Sequence, residues 1–322
     1  MSTSSPSNRP TEVAGRPGWT PADRVAGRPE LPPVRTLRTA SGADRVLRTV
    51  GVAGPHTPSV LLVHGWMATA DLTWAAAFGP LADDGHHLLA PDLDGHGDEP
   101  GEAGGRRFRL EACADRLADL VAGAATGSVV VVGYSMGGAV AQLLWRRHPE
   151  RVAGLVLCAT ADRFRHDLGD RVYFGAWDAA AAALGPLGAA RRRRFHRRLV
   201  ERRTARYDLG PWGRAELARG DLATLARAGG ALGRFRSTDW LCSVDVPTAV
   251  VVTTRDDKVP THRQYRLAGL LPGATVHPVE GGHHACVDAP DRFVPALRRA
   301  VAQVVAASEP PLRSGYAAGD PI

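Results

Sequence analysis

Lysine is almost absent from this chain, and no long apolar run occurs in it. Lys258 is the only lysine among 322 residues, so arginine carries the formal net charge of +7. No stretch approaches the roughly 20 apolar residues of a membrane span. The N-terminal segment is rich in Ser, Pro, Gly and Arg and lacks the apolar core of a signal peptide. We therefore expect a cytoplasmic protein with flexible tails over residues 1–33 and 307–322.

Cysteine is scarce as well, which bears on metals and cofactors. The cysteines have no spacing typical of a metal site and are Cys113, Cys158, Cys242 and Cys286. Cys113 and Cys158 fall in apolar patterns and are predicted to be buried thiols. We expect neither a metal nor an organic cofactor. The sequence pI near 9.8 would suit nucleic acid or an anionic surface, but no nucleic-acid motif is present, so biased arginine usage is favoured.

Short apolar runs alternate with segments of helical spacing along most of the chain. A hairpin turn at residues 41–44 separates two strands, and buried strands follow. Strands are predicted over residues 34–40, 45–50, 59–63, 87–90, 128–132, 151–159, 248–253 and 274–278. Helices are predicted over residues 108–122, 139–148, 265–271 and 292–305. This alternation predicts an α/β fold with a mostly parallel sheet covered by helices on both faces.

Residues 161–243 break the alternation. Helical segments rich in Arg, Ala and Gly replace the strand runs, and residues 161–240 hold nine of the nineteen aromatic residues of the chain. We interpret residues 161–243 as a helical cap inserted into an α/β domain over residues 34–306. The aromatic rings either line an apolar ligand pocket or hold the cap to the main domain, and the two alternatives do not exclude each other.

The most informative motif is Gly133-Tyr134-Ser135-Met136-Gly137. It follows an apolar run and precedes a segment of helical spacing. A serine in a Gly-x-Ser-x-Gly turn between a strand and a helix forms a nucleophile elbow, which exposes the hydroxyl above the sheet. Small flanking residues permit the strained serine backbone that this turn requires. The motif predicts Ser135 as a catalytic nucleophile.

A serine hydroxyl needs a base to take its proton, and the base needs an acid to orient it. The acid should follow a late strand, and the histidine should follow the next one. Asp256 and Asp257 come after the predicted strand 248–253, and His283 and His284 come after the strand 274–278. The order Ser, Asp, His is the chain order of one known fold.

Four segments in this order resemble the α/β-hydrolase superfamily, in particular its capped serine esterases and lipases. They are His64-Gly65-Trp66-Met67, Pro91 to Gly97, Gly133 to Gly138, and Asp256-x-x-Val259-Pro260 together with Gly281-Gly282-His283 and Pro290. The resemblance covers roughly residues 34–305 and implies an α/β-hydrolase fold. The family pattern selects Asp256 as the acid, three residues before the valine, and His283 as the base, directly after the glycine pair.

The resemblance also implies the other parts of the site. Acyl transfer needs two backbone N–H donors for the developing oxyanion, and the pattern assigns them to Met136 and Trp66. The side chain of Trp66 would line the pocket, and His64 and His96 would be structural. Epoxide hydrolase and haloalkane dehalogenase chemistry is disfavoured, because those relatives use Asp where Ser135 stands.

We therefore expect a serine hydrolase that cleaves a carboxylic ester-type bond of a small, largely apolar substrate. A thioesterase or a C–C bond hydrolase would use the same triad. A cofactor-free perhydrolase would share the triad and a His-Gly-Trp loop, although a proline commonly follows that loop where Met67 stands here. A non-catalytic ligand-binding protein is the alternative from a different class.

Residues 191–206 contain nine arginines, which go all round a predicted helix. A solvated helix is favoured, with Phe195, Leu199 and Val200 as a narrow apolar stripe. The alternative is attraction of anionic substrates or weak binding to an anionic lipid surface. No nucleic-acid partner is expected, and the oligomeric state stays open.

Overall fold

The computed structural model describes residues 29–54, 58–100, 108–124, 127–204 and 209–308. These residues form one eight-stranded sheet with the spatial order β1-β2-β4-β3-β5-β6-β7-β8. Its strands are β1 (Val34–Arg38), β2 (Asp44–Val50), β3 (Ser59–Val63), β4 (Leu88–Pro91), β5 (Val129–Tyr134), β6 (Val152–Cys158), β7 (Thr248–Thr253) and β8 (Thr275–Val279). β2 is antiparallel to β1 and β4, whereas β3 to β8 pair in parallel. The predicted mostly parallel sheet is confirmed.

Helices cover both faces of this sheet, as predicted. One face packs against α1 (Ala70–Asp83), α9 (Ala285–Asp288) and α10 (Pro290–Ser308). The other packs against α2 (Leu110–Gly123), α3 (Met136–Arg147) and α8 (Thr261–Leu270). Every residue of β3, β4 and β5 is buried because both sides of these strands meet helices, which explains their uninterrupted apolar runs.

Some boundaries differ from the prediction for local reasons. The sequence does not predict α1, because this helix buries residues on most of its sides and so lacks a clear apolar stripe. The Thr69 hydroxyl caps α1 by accepting a hydrogen bond from the backbone N–H of Leu72. α8 begins at Thr261, four residues before its predicted start, and the Thr261 hydroxyl donates to the Thr253 carbonyl at 2.8 Å. α10 extends to Ser308, whose hydroxyl donates to the Ala153 carbonyl, so residues 307 and 308 are helical rather than part of a tail.

Four helices are described between β6 and β7, where the sequence predicts a helical insertion. They are α4 (Leu168–Leu184), α5 (Ala189–Thr204), α6 (Gly210–Leu217) and α7 (Leu222–Arg234). Phe164 and Phe235 contact each other with ring centroids 6.2 Å apart, and together with Phe174 they join the core that α2 and α3 share. We call α4 to α7 the helical unit. These three rings therefore hold the helical unit to the sheet. The bounds of the cap at residues 161 and 243 stay a prediction.

The predicted apolar stripe of α5 is wrong for Phe195. Its side chain is 52% exposed, whereas His196 and Val200 are buried on the other side of the helix and Leu199 is partly buried. A helix repeats about every 3.6 residues, so a buried face through 196, 199 and 200 places position 195 outside. His196 thus occupies the place in the core that the sequence assigns to the phenyl ring.

Two further expectations can be compared with the structure. Within the described ranges, no helix is long and apolar enough to cross a membrane. Cys113 and Cys158 are buried free thiols, as predicted. Residues 1–28 and 309–322, which make up most of the two predicted tails, lie outside the described residues.

The close packing of α7 on α4 makes a prediction about stability. A Cβ added at Gly233 of α7 would lie 2.4 Å from the Cβ of Phe174, whereas one added at Gly175 of α4 would meet nothing within 4 Å. We expect Gly233→Ala to lower the free energy of unfolding by about 1–3 kcal/mol. Gly175→Ala should raise it by about 0.5–1 kcal/mol, because alanine loses less backbone entropy in a helix. Urea unfolding of both variants checks this, and equal effects would contradict the packing.

Candidate active site

Ser135 stands at the junction of β5 and α3 with a left-handed backbone, φ 53° and ψ −114°. This turn needs residues without a side chain two positions before and two positions after the serine. A Cβ at Gly133 would lie 2.4 Å from the Gly137 carbonyl oxygen, and one at Gly137 would lie 2.2 Å from the Val63 carbonyl oxygen. The glycines of the motif are therefore required by sterics, as expected of a nucleophile elbow.

Hydrogen bonds from β6 hold the strained serine backbone in place. The N–H of Ser135 donates to the Cys158 carbonyl at 2.9 Å, and the Thr160 hydroxyl donates to the Ser135 carbonyl at 2.7 Å. Hydrogen bonds of this kind allow an unfavourable backbone conformation to persist, because the surrounding structure holds it in place. Thr160 has no place in the sequence motif, although it follows directly on a buried strand.

The structure brings Ser135, His283 and Asp256 together in a line of two hydrogen bonds. His283 Nε2 is 2.9 Å from Ser135 Oγ, and His283 Nδ1 is 2.8 Å from Asp256 Oδ2. The three residues follow β5, β8 and β7, whose carboxyl ends lie along one edge of the sheet. It is His283 rather than His284, and Asp256 rather than the exposed Asp257, that makes these contacts.

Asp256 sits in a dense set of donors. Its Oδ1 accepts from the backbone N–H groups of Lys258 and Val259, both at 2.8 Å. Its Oδ2 accepts from the Thr253 hydroxyl at 2.7 Å and from the Gln264 amide at 3.0 Å. Burial alone would raise the pKa of Asp256, but the hydrogen bond and charge of His283 and these other donors hold it below its usual value. The carboxylate is thus kept ionised beside Nδ1.

Three residues that position the triad are missed by the sequence motifs. Thr253 and Gln264 hold the Asp256 carboxylate, and the Tyr134 hydroxyl donates to the His283 carbonyl at 2.8 Å. For Thr253 the available signal was a polar residue at the end of a valine-rich strand. Gln264 stands between Arg263 and Tyr265 in the chain, and only its full burial in the structure sets it apart. Buried polar side chains are normally hydrogen-bonded, so each of them needed a partner.

His64 is fully buried and uses both of its ring nitrogens. Nδ1 lies 2.8 Å from the Gly65 carbonyl oxygen, and Nε2 accepts from the Leu93 N–H at 2.8 Å. Nδ1 therefore carries the proton, and burial lowers the pKa of His64 to about 4. His96 packs on it with ring centroids 5.1 Å apart, and burial also lowers the pKa of His96 well below its usual value. Both histidines are therefore neutral and hold the loops after β3 and β4 in place.

Trp66 joins the loop after β3 to the helical unit above it. Its indole N–H donates to the Leu225 carbonyl of α7 at 2.8 Å, and its ring meets Trp177 of α4 edge-on with centroids 4.8 Å apart. A Cβ at Gly229 of α7 would lie 2.5 Å from the Trp66 ring. The Trp66 side chain, which is predicted to line the pocket, therefore connects the loop after β3 to α4 and α7. The sequence does not reveal this connection.

The backbone N–H groups of Trp66 and Met136 are available as donors. Neither donates to an acceptor in the described part of the chain. Met136 is the first residue of α3, where N–H groups have no intrahelical partner. The loop after β3 runs close to the serine, since a Cβ at Gly65 would lie 3.5 Å from the Cβ of Ser135. The site therefore offers free donors next to the hydroxyl that His283 contacts.

The site is enclosed and holds no obvious metal-binding cluster. Ser135 is only 7% exposed, and Asp256 is buried. In the ranges that the structure describes, no group of three His, Cys, Asp or Glu residues is placed to hold a metal ion. That the protein needs no metal and no cofactor stays a prediction.

A model of the alpha/beta hydrolase fold family matches residues 58–290 of this chain. The chain therefore belongs to the α/β-hydrolase family. It is 31% identical over 254 residues to a pimeloyl-[acyl-carrier protein] methyl ester esterase of Aromatoleum aromaticum, which covers 71% of this chain and 92% of that protein. It is 26% identical over 292 residues to a poly(3-hydroxyalkanoate) depolymerase of Ectopseudomonas oleovorans, which covers 85% of this chain and 95% of that one.

Solved structures show the same fold. A thermophilic esterase from Thermogutta terrifontis superposes with a TM-score of 0.66 and 26% identity, over 84% of this chain and 99% of that one. A hydrolase from Pseudomonas aeruginosa superposes with a TM-score of 0.69 and 21% identity, over 83% and 98%. At 21% identity, the likeness to the Pseudomonas aeruginosa structure shows a shared fold alone.

The buried His64 predicts a loss of stability in acid. The unfolded chain binds a proton on this histidine near pH 6.5, whereas the folded chain does so only near pH 4. The stability from neutral His64 is thus present above pH 6.5 and lost as the pH falls towards 4, by about 2 kcal/mol at pH 5. We expect urea unfolding of His64→Gln to vary less between pH 7.5 and 5 than unfolding of the wild type. Parallel pH dependences would contradict this prediction.

Proposed function

We propose that this chain is a serine hydrolase that cleaves carboxylic esters with Ser135, His283 and Asp256 as its catalytic triad. The observation that carries the proposal is the hydrogen-bonded line from Ser135 Oγ through both nitrogens of His283 to Asp256 Oδ2, at 2.9 and 2.8 Å. A serine, a histidine and a carboxylate in this geometry form the arrangement that activates a hydroxyl as a nucleophile.

The first half of the reaction forms an acyl-enzyme. Ser135 Oγ bonds to the ester carbonyl carbon while its proton passes to His283 Nε2. The carbonyl oxygen becomes an oxyanion, which the backbone N–H groups of Trp66 and Met136 would hold. When the C–O bond breaks, the leaving alkoxide takes the proton from His283 Nε2 and departs as the alcohol. Asp256 keeps Nδ1–H oriented and stabilises the imidazolium throughout.

The second half returns the free enzyme. His283 Nε2 takes a proton from a water molecule, whose oxygen bonds to the acyl carbon. The second tetrahedral intermediate uses the same two N–H donors. When it collapses, Ser135 Oγ leaves with the proton from His283, and the carboxylic acid is released. His283 thus accepts and returns one proton in each half of the cycle.

The substrate is proposed to be a small ester, largely apolar. The two relatives named above act, by their names, on a methyl ester and on a polyester, so a carboxylic ester is favoured over a thioester or a C–C bond. A cytoplasmic location and the absence of a nucleic-acid partner remain predictions of the sequence. The length of the acyl chain that the site accepts would depend on how α4 and α7 pack above Ser135.

Met67 argues against the perhydrolase alternative. Its φ is 61°, in the left-handed region. The ring of proline holds φ near −65°, so a proline could not take this place without a different loop backbone. The loop after Trp66 therefore differs in conformation, and not only in sequence, from one that carries a proline there.

Loss of the Ser135 hydroxyl tests the whole mechanism. We expect a fluorophosphonate probe to form one adduct, mapped to Ser135 by intact mass and peptide mass spectrometry. Ser135→Ala should abolish the adduct and lower kcat on a p-nitrophenyl ester by at least about a thousandfold, with the fold unchanged by circular dichroism. Turnover that persists in Ser135→Ala would overturn the triad. Saturable ligand binding without turnover in the wild type would instead favour the non-catalytic alternative.

The hydrogen bond from the Trp66 indole to the Leu225 carbonyl predicts that α7 influences the position of the Trp66 backbone N–H, the proposed oxyanion donor. Trp66→Phe keeps a ring against Trp177 but removes the hydrogen bond to α7. We expect kcat to fall by about tenfold with KM nearly unchanged, because the Trp66 N–H acts mainly in the transition state. Trp240→Phe, which changes a ring stacked on Trp145 elsewhere, is the matched control and should leave kcat unchanged. A rise in KM alone would assign Trp66 to substrate binding.

A further inference from the structure

α5 presents a strongly basic surface to the outside of the protein. Six arginines of α5 are exposed, with a single exposed glutamate, Glu201, giving a net charge of +5 over the outer surface of the helix. The arginines are Arg191, Arg193, Arg194, Arg197, Arg198 and Arg202. We call these six arginines, Glu201 and Phe195 the α5 basic face. Five of the eight share one side of the helix, because positions 191, 194, 195, 198 and 202 recur every three or four residues. Arg193 and Arg197 lie about 160° round the helix from Phe195.

The opposite side of α5 accounts for all of its packing. His196 and Val200 are buried there, and α5 packs on α6 and α7. Arg192, on the same side, is bonded to Asp221 with 2.7 Å between Nε and Oδ1. The α5 basic face is therefore not needed to hold the helix to the protein, and its composition calls for another explanation.

The charges on the α5 basic face are not compensated. None of its six arginines forms an ion pair with a carboxylate of the described residues, whereas Arg192 on the inner side does. Arginines three or four positions apart repel one another, as at 194 and 198, and this repulsion destabilises a helix. A face that is merely solvated usually intersperses both signs of charge. An anionic partner would remove the repulsion.

Charges of both signs lie beside the first turn of α5. A cavity of about 800 Å³ opens there, next to the loop after β4 and the start of α7. Arg193 and Arg227 line it without an ion pair to any described carboxylate, while Arg192 and Arg219 are already paired with Asp221 and Asp98. Three carboxylates, Asp98, Glu99 and Asp221, also line this cavity, so its four arginines leave only a small excess of positive charge.

Phe195 decides which kind of anionic partner fits best. Its ring is 52% exposed on the α5 basic face, between Arg191 one turn before and Arg198 one turn after. An acidic protein would present charged groups to this ring. A plane of anionic headgroups over hydrocarbon offers phosphates to the arginines and an apolar layer to the ring, which is how basic amphipathic helices lie at a bilayer surface.

We propose that the α5 basic face binds the surface of an anionic lipid bilayer, with the arginines at the phosphates and Phe195 inserted between the headgroups. The helix lies in the plane of the surface and does not cross it. The binding places the helical unit above Ser135 next to the lipid. It does not depend on the hydrolysis proposed above and would hold for an inactive chain.

Vesicle sedimentation with the full-length Ser135→Ala chain tests this proposal, since that chain cannot alter the lipid by hydrolysis. We expect partition onto vesicles that contain phosphatidylglycerol, little partition onto pure phosphatidylcholine, and weaker partition as salt rises. Arg194→Gln with Arg198→Gln should lower the partition coefficient by about 25-fold, or about fivefold for each arginine. Phe195→Ala should lower it by about tenfold through lost apolar contact.

A matched control removes the same amount of charge from another part of the surface. Arg38→Gln with Arg299→Gln removes two exposed arginines from β1 and α10, and should leave the partition coefficient unchanged. Because the four changed arginines and Phe195 are exposed, circular dichroism and the ester turnover of the same variants on a wild-type Ser135 background should stay at the wild-type level. A loss of turnover in those variants would show misfolding of the cap.

Three results would overturn the proposal. The first is no partition onto anionic vesicles at low salt. The second is an equal loss in the control pair, which would mean that net charge alone attracts the protein. The third is an unchanged partition coefficient for Phe195→Ala together with full displacement by a soluble acidic polypeptide, which would assign the α5 basic face to an acidic protein partner.

Discussion

The left-handed backbone of Ser135 is the constraint on which the site depends. It turns the chain from β5 into α3 within one residue, and it fits only because Gly133 and Gly137 leave space for the neighbouring carbonyl groups. The same turn aims the serine hydroxyl at His283 and leaves the Met136 N–H at the free start of a helix. Strain at one residue thereby places both the proposed nucleophile and one proposed oxyanion donor.

The rest of the site is held by hydrogen bonds that cross between elements. Asp256 is fixed by donors from its own loop, from β7 and from α8, and Tyr134 secures the loop that carries His283. Trp66 extends this network upwards, since its indole bonds to α7 while its backbone lies beside the serine. The helical unit therefore contacts a proposed catalytic loop directly, and this contact is a physical route by which it would influence the proposed reaction.

Much of the fold could be predicted because its signals are local. β3 and β7 are runs of apolar residues buried on both faces, and their predicted bounds agree with the structure. α1 could not be predicted, because a helix buried on most sides shows no apolar stripe. The sequence predicts Phe195 as part of a narrow apolar stripe on a solvated helix. The rotation of α5 is set by what packs beneath it, and His196 is buried there while Phe195 is exposed. Thr253 and Gln264 carry no motif, since their role exists only through Asp256.

The sequence by itself determined the class of fold, the order of the elements and the identity of Ser135, Asp256 and His283 as candidates, because glycine-flanked turns and strand ends leave a mark in the chain. Only the tertiary structure decided that these three side chains meet within hydrogen-bond distance, that Trp66 reaches Leu225, and that the arginines of α5 surround an exposed ring. Contacts between residues distant in the chain depend on how helices rotate and pack, and that packing is a property of all the elements together.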